Sequence, residues 1–370
     1  MEHTKQGGNA KEMIVVFLAF FASTLSALYT VLWLWHEVVF ITMLITLIVT
    51  GFVIRKAFAD HLKVEWTNLL RKYWYFLPFI GYSFLSIFWS THMDISIYRW
   101  VILVCTFIMS WYFGQKYSGK KFQSFILVFA VYVIFMTIGV TISDLIIGMP
   151  TLDPLRGFFW HRNHTGLFLT FLGFISLINV IRFREKKGWH FYSAIMLYTI
   201  SIFGVILTKS VSSIFTSLIL HGMIPIFLFW LKIKNQIKKW HYIVFAVMVV
   251  IIFVAVLLNL DMVFGLFGRQ ANLTGRVPMW KNTYNLYFLQ RPFFGYGFNA
   301  FWYQPSHRMV IGTVSDLPAI VIADNGFFDI LISGGAVGLF LFLFFYVALW
   351  VEPVRAVIRA KTLFDCVPFM

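Results

Sequence analysis

The sequence predicts an all-α polytopic membrane protein of about ten transmembrane helices. Both termini are predicted on the cytoplasmic side, with one large extracytoplasmic loop carrying an amphipathic helix. Composition is the first reason. Of 370 residues, 60% are hydrophobic, 20% aromatic and only 12% charged, with a mean hydropathy of +0.81. A soluble domain carries about 25% charged residues, so this chain cannot coat a water-facing surface in the usual way. The second reason is a series of apolar runs of span length. The third is that basic residues recur in every second connection. These features exclude a disordered chain, a nucleic-acid-binding domain and a small disulfide scaffold.

A spanning helix needs about 20 mostly apolar residues. Runs of that kind cover residues 13–35, 37–54, 73–91, 98–114, 122–147, 166–181, 191–208, 214–231, 242–260 and 326–350. The first follows Lys5 and Lys11, is too long for a signal-peptide core and has no clear cleavage site, so it is expected to be a retained anchor.

Orientation follows from charge. With the N-terminus inside, the inner segments carry Lys5 and Lys11; Arg55, Lys56, Lys63, Arg71 and Lys72; Lys116, Lys120 and Lys121; Arg182, Arg184, Lys186 and Lys187; Lys232, Lys234, Lys238 and Lys239; and Arg355, Arg359 and Lys361. Most of the 30 Lys and Arg are thereby cytoplasmic, and every inner segment is basic. The remainder are Arg99, Arg156, Arg162, Lys209, Arg269, Arg276, Lys281, Arg291 and Arg308. They fall outside, mostly in two loops, 148–165 and 261–325. The whole chain, 1–370, reads as a single membrane domain in which the second loop is the candidate catalytic region. Long loops cross a membrane regardless of charge, yet these two also gather polar, aromatic, glycine and proline positions next to their basic residues.

The first loop places His161, Arg162, Asn163 and His164 at the mouth of a span. Two histidines without a cysteine or carboxylate cluster make a weak metal site, and no metal or other cofactor is expected. An arginine flanked by amide and imidazole groups suits a phosphate oxygen better. Cys105 and Cys366 suggest neither a disulfide nor a zinc site. In the second loop, Gly275-Arg276-Val-Pro278 reads as a helix start. Trp280, Tyr284, Tyr287 and Phe288 then recur at helical spacing, and Arg291-Pro292 ends the run. Gly295-Tyr-Gly297 lacks a third glycine and a preceding strand, so it is no dinucleotide motif but a tight turn packed on aromatics. Asp324-Asn325-Gly326 precedes the last span, where either Asp324 or Asn325 suits a helix cap. The Lys209-Ser210-Val-Ser212-Ser213 stretch forms a short outer turn.

Taken in order, several of these segments resemble the O-antigen ligase/polymerase family. They are His161-Arg162-Asn163-x-x-Gly166, the Ser210/Ser212 turn, Gly275-Arg276-x-x-x-Trp280, Arg291-Pro292-x-x-Gly295-Tyr-Gly297 and Asp324-Asn325-Gly326-x-x-Asp329. The resemblance covers roughly residues 150–340. It implies a metal-independent glycosyltransferase in the bacterial cytoplasmic membrane, with its active site facing outward. The implied donor is a glycan on an undecaprenyl-diphosphate carrier. Ligases of the family pass it to a lipid core or a protein, and polymerases pass it to another lipid-linked repeat. The ligase pattern has His-Asn before the last conserved span. Here Asp324 stands where that histidine would be, a form closer to exopolysaccharide-polymerase-type members. Other polysaccharide-assembly proteins are the further partners implied, and nucleic acid is not one. The family usually has more spans near the C-terminus, so the chain is expected to be short or truncated.

On this reading Arg276 stabilises the departing diphosphate, with Arg162, Arg291 and Lys209 behind it. Asp324 is the expected general base, buried among the aromatics and oriented by Asn325. His161, Asn163 and Trp280 support them. A transporter would instead place ionisable residues near the bilayer midplane, and the span centres here are almost free of charge.

Overall fold

The computed structural model describes residues 74–116, 162–185, 187–233, 275–315 and 323–360, with short stretches within 47–55, 133–142, 155–157 and 247–251. The described residues are helical, without a strand among them. Helix α1 (Leu77–Leu85) is flanked by the 3-10 turns Trp74–Phe76 and Ser86–Trp89. It is followed by α2 (Met93–Lys116), α3 (Arg162–Phe183), α4 (Trp189–Leu207) and α5 (Val211–Ile233). Then come α6 (Arg276–Leu286), α7 (Pro305–Val314) and α8 (Gly326–Arg359).

Helices α2, α3, α4, α5 and α8 are long and apolar enough to cross a membrane, and Trp74–Trp89 is a shorter apolar segment. They fall on the spans expected at 98–114, 166–181, 191–208, 214–231, 326–350 and 73–91. The expected spans 13–35, 37–54, 122–147 and 242–260 lie outside the described residues, fragments apart. So does most of the loop 148–165.

The chain divides into two compact units. One comprises residues 117–248 and 359–370 and holds α3, α4 and α5. Here α3 packs against both α4 and α5, so its face is buried at Leu169, Thr170, Leu172, Ile175 and Ile178. Small residues permit the approach, as is usual between helices in lipid. A Cβ at Gly204 would lie 2.7 Å from Leu169 Cδ1, and one at Gly166 would collide with the Ser213 side chain.

The other unit comprises residues 1–116 and 249–358. Its organising feature is a break in α8. Gly335 sits at φ 65°, ψ −168°, a conformation that is essentially reserved for glycine. A break inside a span would leave amides and carbonyls unpaired in a medium without water. The segment Arg291–Gly297 supplies the partners. Tyr296 N–H donates to the Ile332 and Ser333 carbonyls (3.2 and 3.1 Å), and Gly297 N–H to the Ser333 carbonyl (2.9 Å). From the second half of the helix, Ala336 N–H donates to the Pro292 carbonyl (2.8 Å) and Val337 N–H to the Phe293 carbonyl (3.2 Å). The Gly-Tyr-Gly turn is therefore more than a bend packed on aromatics: it completes the hydrogen bonding of a helix far away in sequence.

Helices α1 and α2 clamp this turn from the other side. Tyr82 OH donates to the Gly334 carbonyl (2.5 Å) and Trp89 Nε1–H to the Phe294 carbonyl (3.0 Å). Ser86 Oγ accepts from Phe298 N–H (3.0 Å), and Ser96 Oγ donates to the Phe298 carbonyl (2.9 Å). One step on, Arg99 Nη2 donates to Tyr303 OH (2.6 Å) and its guanidinium lies 5.6 Å over that ring.

Candidate functional site

The residues singled out in the large loop converge at the N-termini of α6 and α8. Gly275, at φ 85°, turns the chain into α6, so Arg276 is the first helical residue. Met279 and Thr283 face the core, while Tyr284 is exposed. The aromatic residues Trp280, Tyr287 and Phe288 pack against a buried cluster of Met279, Tyr296, Phe301, Trp302, Ile311, Ala323 and Ile332. The helix stops at Leu286, and a 3-10 turn, Phe288–Gln290, carries the chain to Arg291-Pro292.

This packing brings Arg276 to Asp324. Both Nε and Nη2 of the guanidinium donate to Asp324 Oδ2, at 3.0 and 2.8 Å. The sequence reads Asp324 as a general base that burial among aromatics would strengthen. Instead its side chain is 45% exposed, and that of Arg276 is 36% exposed. The physical reason is backbone geometry. Asp324 adopts φ +54°, an uncommon left-handed conformation for a residue with a side chain. Its neighbour Ala323 is wholly buried, with its carbonyl accepting from Trp280 Nε1–H (2.8 Å) and its N–H donating to Asp329 Oδ1 (3.3 Å). With Ala323 pinned inward, the next side chain turns outward.

Asp329 is the carboxylate that the aromatics do enclose. Its Oδ1 also accepts from Trp302 Nε1–H at 2.7 Å. The sequence places Asp329 at the edge of the last span without assigning it a task. Only a buried indole N–H seeking an acceptor could have pointed to it, and Trp302 is far off in sequence.

Asn325 caps α8. Its Oδ1 accepts from Phe327 N–H (3.2 Å) and Phe328 N–H (3.3 Å), while its carbonyl accepts from Asp329 N–H (2.9 Å). Loss of such a cap costs about 1 kcal/mol. Asn325→Ala is expected to lower the thermal stability of the detergent-solubilised protein by about that amount, whereas Asn325→Ser retains most of it. Arg291 does not join the Arg276–Asp324 pair in the contacts it makes. It is exposed, and its guanidinium lies 4.9 Å over the Tyr296 ring.

His307 is packed into the same aromatic cluster. Its ring stacks on Phe301 with centroids 4.5 Å apart, and Nδ1–H donates to the Phe301 carbonyl (3.2 Å). Burial pushes its pKa below the ordinary histidine value. The bond to Phe301 opposes this, and the charges of His92 and Arg291 add to it. The unfolded chain therefore binds a proton more readily than the folded one below about pH 6.5. Stability from this group is present above that pH and is lost as pH falls towards the lowered folded value. The stability gap between wild type and His307→Gln is expected to be narrower at pH 5.5 than at pH 7.5, measured by thermal unfolding.

The remaining predicted residues lie in the α3–α5 unit. Arg162 and Asn163 begin α3, and the turn between α4 and α5 places Ser210 beside them. Ser210 Oγ donates to Asn163 Oδ1 (2.9 Å) and contacts Ser213 Oγ (2.9 Å), while Ser213 Oγ donates to the Asn163 carbonyl (3.2 Å). Asn163 thus fixes the serine turn to the start of α3. Lys209, at φ 48°, is turned outward and exposed at its tip. His161 lies outside the described residues.

Residues 197–343 match the family model described as O-antigen ligase, which supports membership of the O-antigen ligase/polymerase family. The matched stretch contains Lys209, Arg276, Arg291 and Asp324 and begins after Arg162 and Asn163. No curated protein and no solved structure matches the chain significantly.

Proposed function

From the O-antigen ligase domain carried at residues 197–343, we propose that the protein is a polysaccharide polymerase. It takes a glycan from an undecaprenyl-diphosphate carrier at the outer face of a bacterial cytoplasmic membrane. It transfers that glycan to a hydroxyl of a second lipid-linked repeat. The observation that carries this reading is the outward-facing Arg276–Asp324 pair, held by a strained backbone and a doubly pinned Ala323. Strain of this kind clusters at working sites.

Arg276 is the proposed electrostatic partner of the diphosphate. Its two bonds to Asp324 engage Nε and Nη2, and Nη1 has no partner among the described residues. That edge offers N–H groups to phosphate oxygens in the planar geometry a guanidinium presents. Asp324 Oδ1 is the proposed proton acceptor, since only Oδ2 is engaged by Arg276. The acceptor hydroxyl gives its proton to Oδ1 as its oxygen bonds to the anomeric carbon. The bond from that carbon to the phosphate oxygen breaks, and the diphosphate departs with the electron pair. A single displacement of this kind inverts the anomeric centre. Arg291 is proposed as a further contact for the diphosphate, and Trp280 as the brace that sets the angle of the pair. Arg162 and Lys209 are proposed as phosphate contacts within their own unit, with Asn163 and His161 supporting them.

Polymerase is favoured over ligase because Asp324 occupies the place at which the ligase pattern has histidine. Purified protein supplied with one lipid-linked repeat and no other acceptor tests this. A ladder of products supports polymerisation. Transfer that appears only when a lipid core or a protein acceptor is added identifies a ligase instead.

A further inference from the structure

We infer that the Arg291–Phe298 turn is embedded in the membrane, and that the side chains of Phe293 and Phe294 lie against acyl chains of the outer leaflet. The sequence alone assigns this segment to the extracytoplasmic loop, as a tight turn packed on aromatics. Its hydrogen bonds argue otherwise, because they attach it partway along two apolar helices.

Depth can be counted from the basic end of α8. An exposed Arg355–Glu352 pair marks the water-facing end of that helix. The stretch from Gly335 to Val351 rises about 24 Å at 1.5 Å per residue. An independent count uses the α1 segment. Arg71 and Lys72 precede it in sequence, and Trp74–Trp89 rises about 24 Å, its 3-10 turns being slightly longer per residue. Both counts end at the same loop. Phe293 carbonyl meets α8 at Val337, and Phe294 carbonyl meets Trp89. A hydrocarbon core is about 30 Å thick, so the two phenylalanines lie roughly 6 Å below its far edge.

The local chemistry agrees with that depth. Irregular backbone is tolerated in hydrocarbon only when its polar groups are paired within protein. Here the successive carbonyls of Pro292, Phe293 and Phe294 are all accepting hydrogen bonds. The side chains, by contrast, face outward, 64% exposed for Phe293 and 58% for Phe294. They continue an apolar surface that the spans already present. Trp89 packs edge-on against Phe294 with centroids 5.8 Å apart, and Phe88 and Phe340 are each 68% exposed. Arg291 leads into the segment, where a basic head at the headgroup boundary is favourable. The occupant that fits carbonyls paired within the protein and an exposed aromatic face at this level is lipid hydrocarbon.

The test uses the full chain in phosphatidylcholine nanodiscs. Cys105→Ala and Cys366→Ala remove the native thiols, and Phe293→Cys or Phe294→Cys carries a nitroxide. Lys281→Cys serves as the aqueous reference and Phe340→Cys as the lipid reference. Oxygen, which concentrates in hydrocarbon, is expected to relax the labels at 293 and 294 several-fold more than a water-soluble nickel chelate, as at 340. A label that responds to the nickel chelate as at 281 would overturn the inference by placing the turn in water. Low response to both reagents would overturn it by showing protein over the phenylalanines.

Discussion

Arg276→Ala is expected to lower the rate of glycan transfer by about 10²–10³-fold, the loss typical for one preorganised donor to a developing negative charge. The leaving diphosphate gains charge as its bond to the sugar breaks, and a group already fixed in place needs no reorganisation at that moment. Arg276 is fixed by the start of α6 and by two bonds to one oxygen of Asp324. Lysine offers a point charge on a flexible stem, so Arg276→Lys is expected to recover only a small part of the rate. Asp324→Asn keeps shape and size but cannot take up a proton in the same way, and it should be similarly impaired. If the two act as one unit, the double variant will be scarcely worse than the poorer single variant. Initial rates of ladder formation at matched protein amount measure all of this. Normal ladders from both single variants would remove the proposed roles.

Gly335→Val is expected to abolish the folded form of the α8 break. A side chain at φ 65°, ψ −168° costs about 1–3 kcal/mol in backbone strain alone. The added atoms would also collide with the Phe293 carbonyl and with Phe294 N–H. Relief would require the Arg291–Gly297 turn to leave, exposing the eight backbone groups that the break and the turn now satisfy for each other. Gly295 is constrained reciprocally, since a Cβ there would lie 2.6 Å from Gly335 N and from the Ile332 carbonyl. Gly326 gives the control. A Cβ there meets nothing within 4 Å, so Gly326→Ala should leave stability within about 0.5 kcal/mol of wild type. Size-exclusion profiles and thermal unfolding in detergent distinguish the two. A monodisperse, normally stable Gly335→Val protein would contradict the account of the break.

The spans at α2, α3, α4, α5 and α8 were legible because a membrane imposes a single simple pattern, a long apolar run bounded by charge. The Asn325 cap was legible because capping is local, acting over three residues. The joining of Arg276 to Asp324 was legible only as the co-occurrence of family-like motifs, since no local rule relates positions so far apart. What the sequence concealed was the consequence of Gly335. Nothing local in the Ser333-Gly334-Gly335 stretch reveals that it breaks the helix to receive Gly295-Tyr-Gly297. The same non-local fact misled the expectation for Asp324. Its surroundings are rich in aromatics, but Asp329 and Trp280 hold Ala323 inward and so turn Asp324 out. Asp329 takes the enclosed place that had been expected for its neighbour.

We propose that a guanidinium, Arg276, supplies the charge that a lipid-borne diphosphate needs on departure. The most direct measurement is polymer formation by purified protein in nanodiscs, with a single lipid-linked repeat, after exhaustive treatment with a chelator. An unchanged ladder is expected in the chelator, and a ladder lost in Arg276→Ala under the same conditions. Activity abolished by the chelator and restored by divalent ions, with Arg276→Ala as active as wild type, would contradict it.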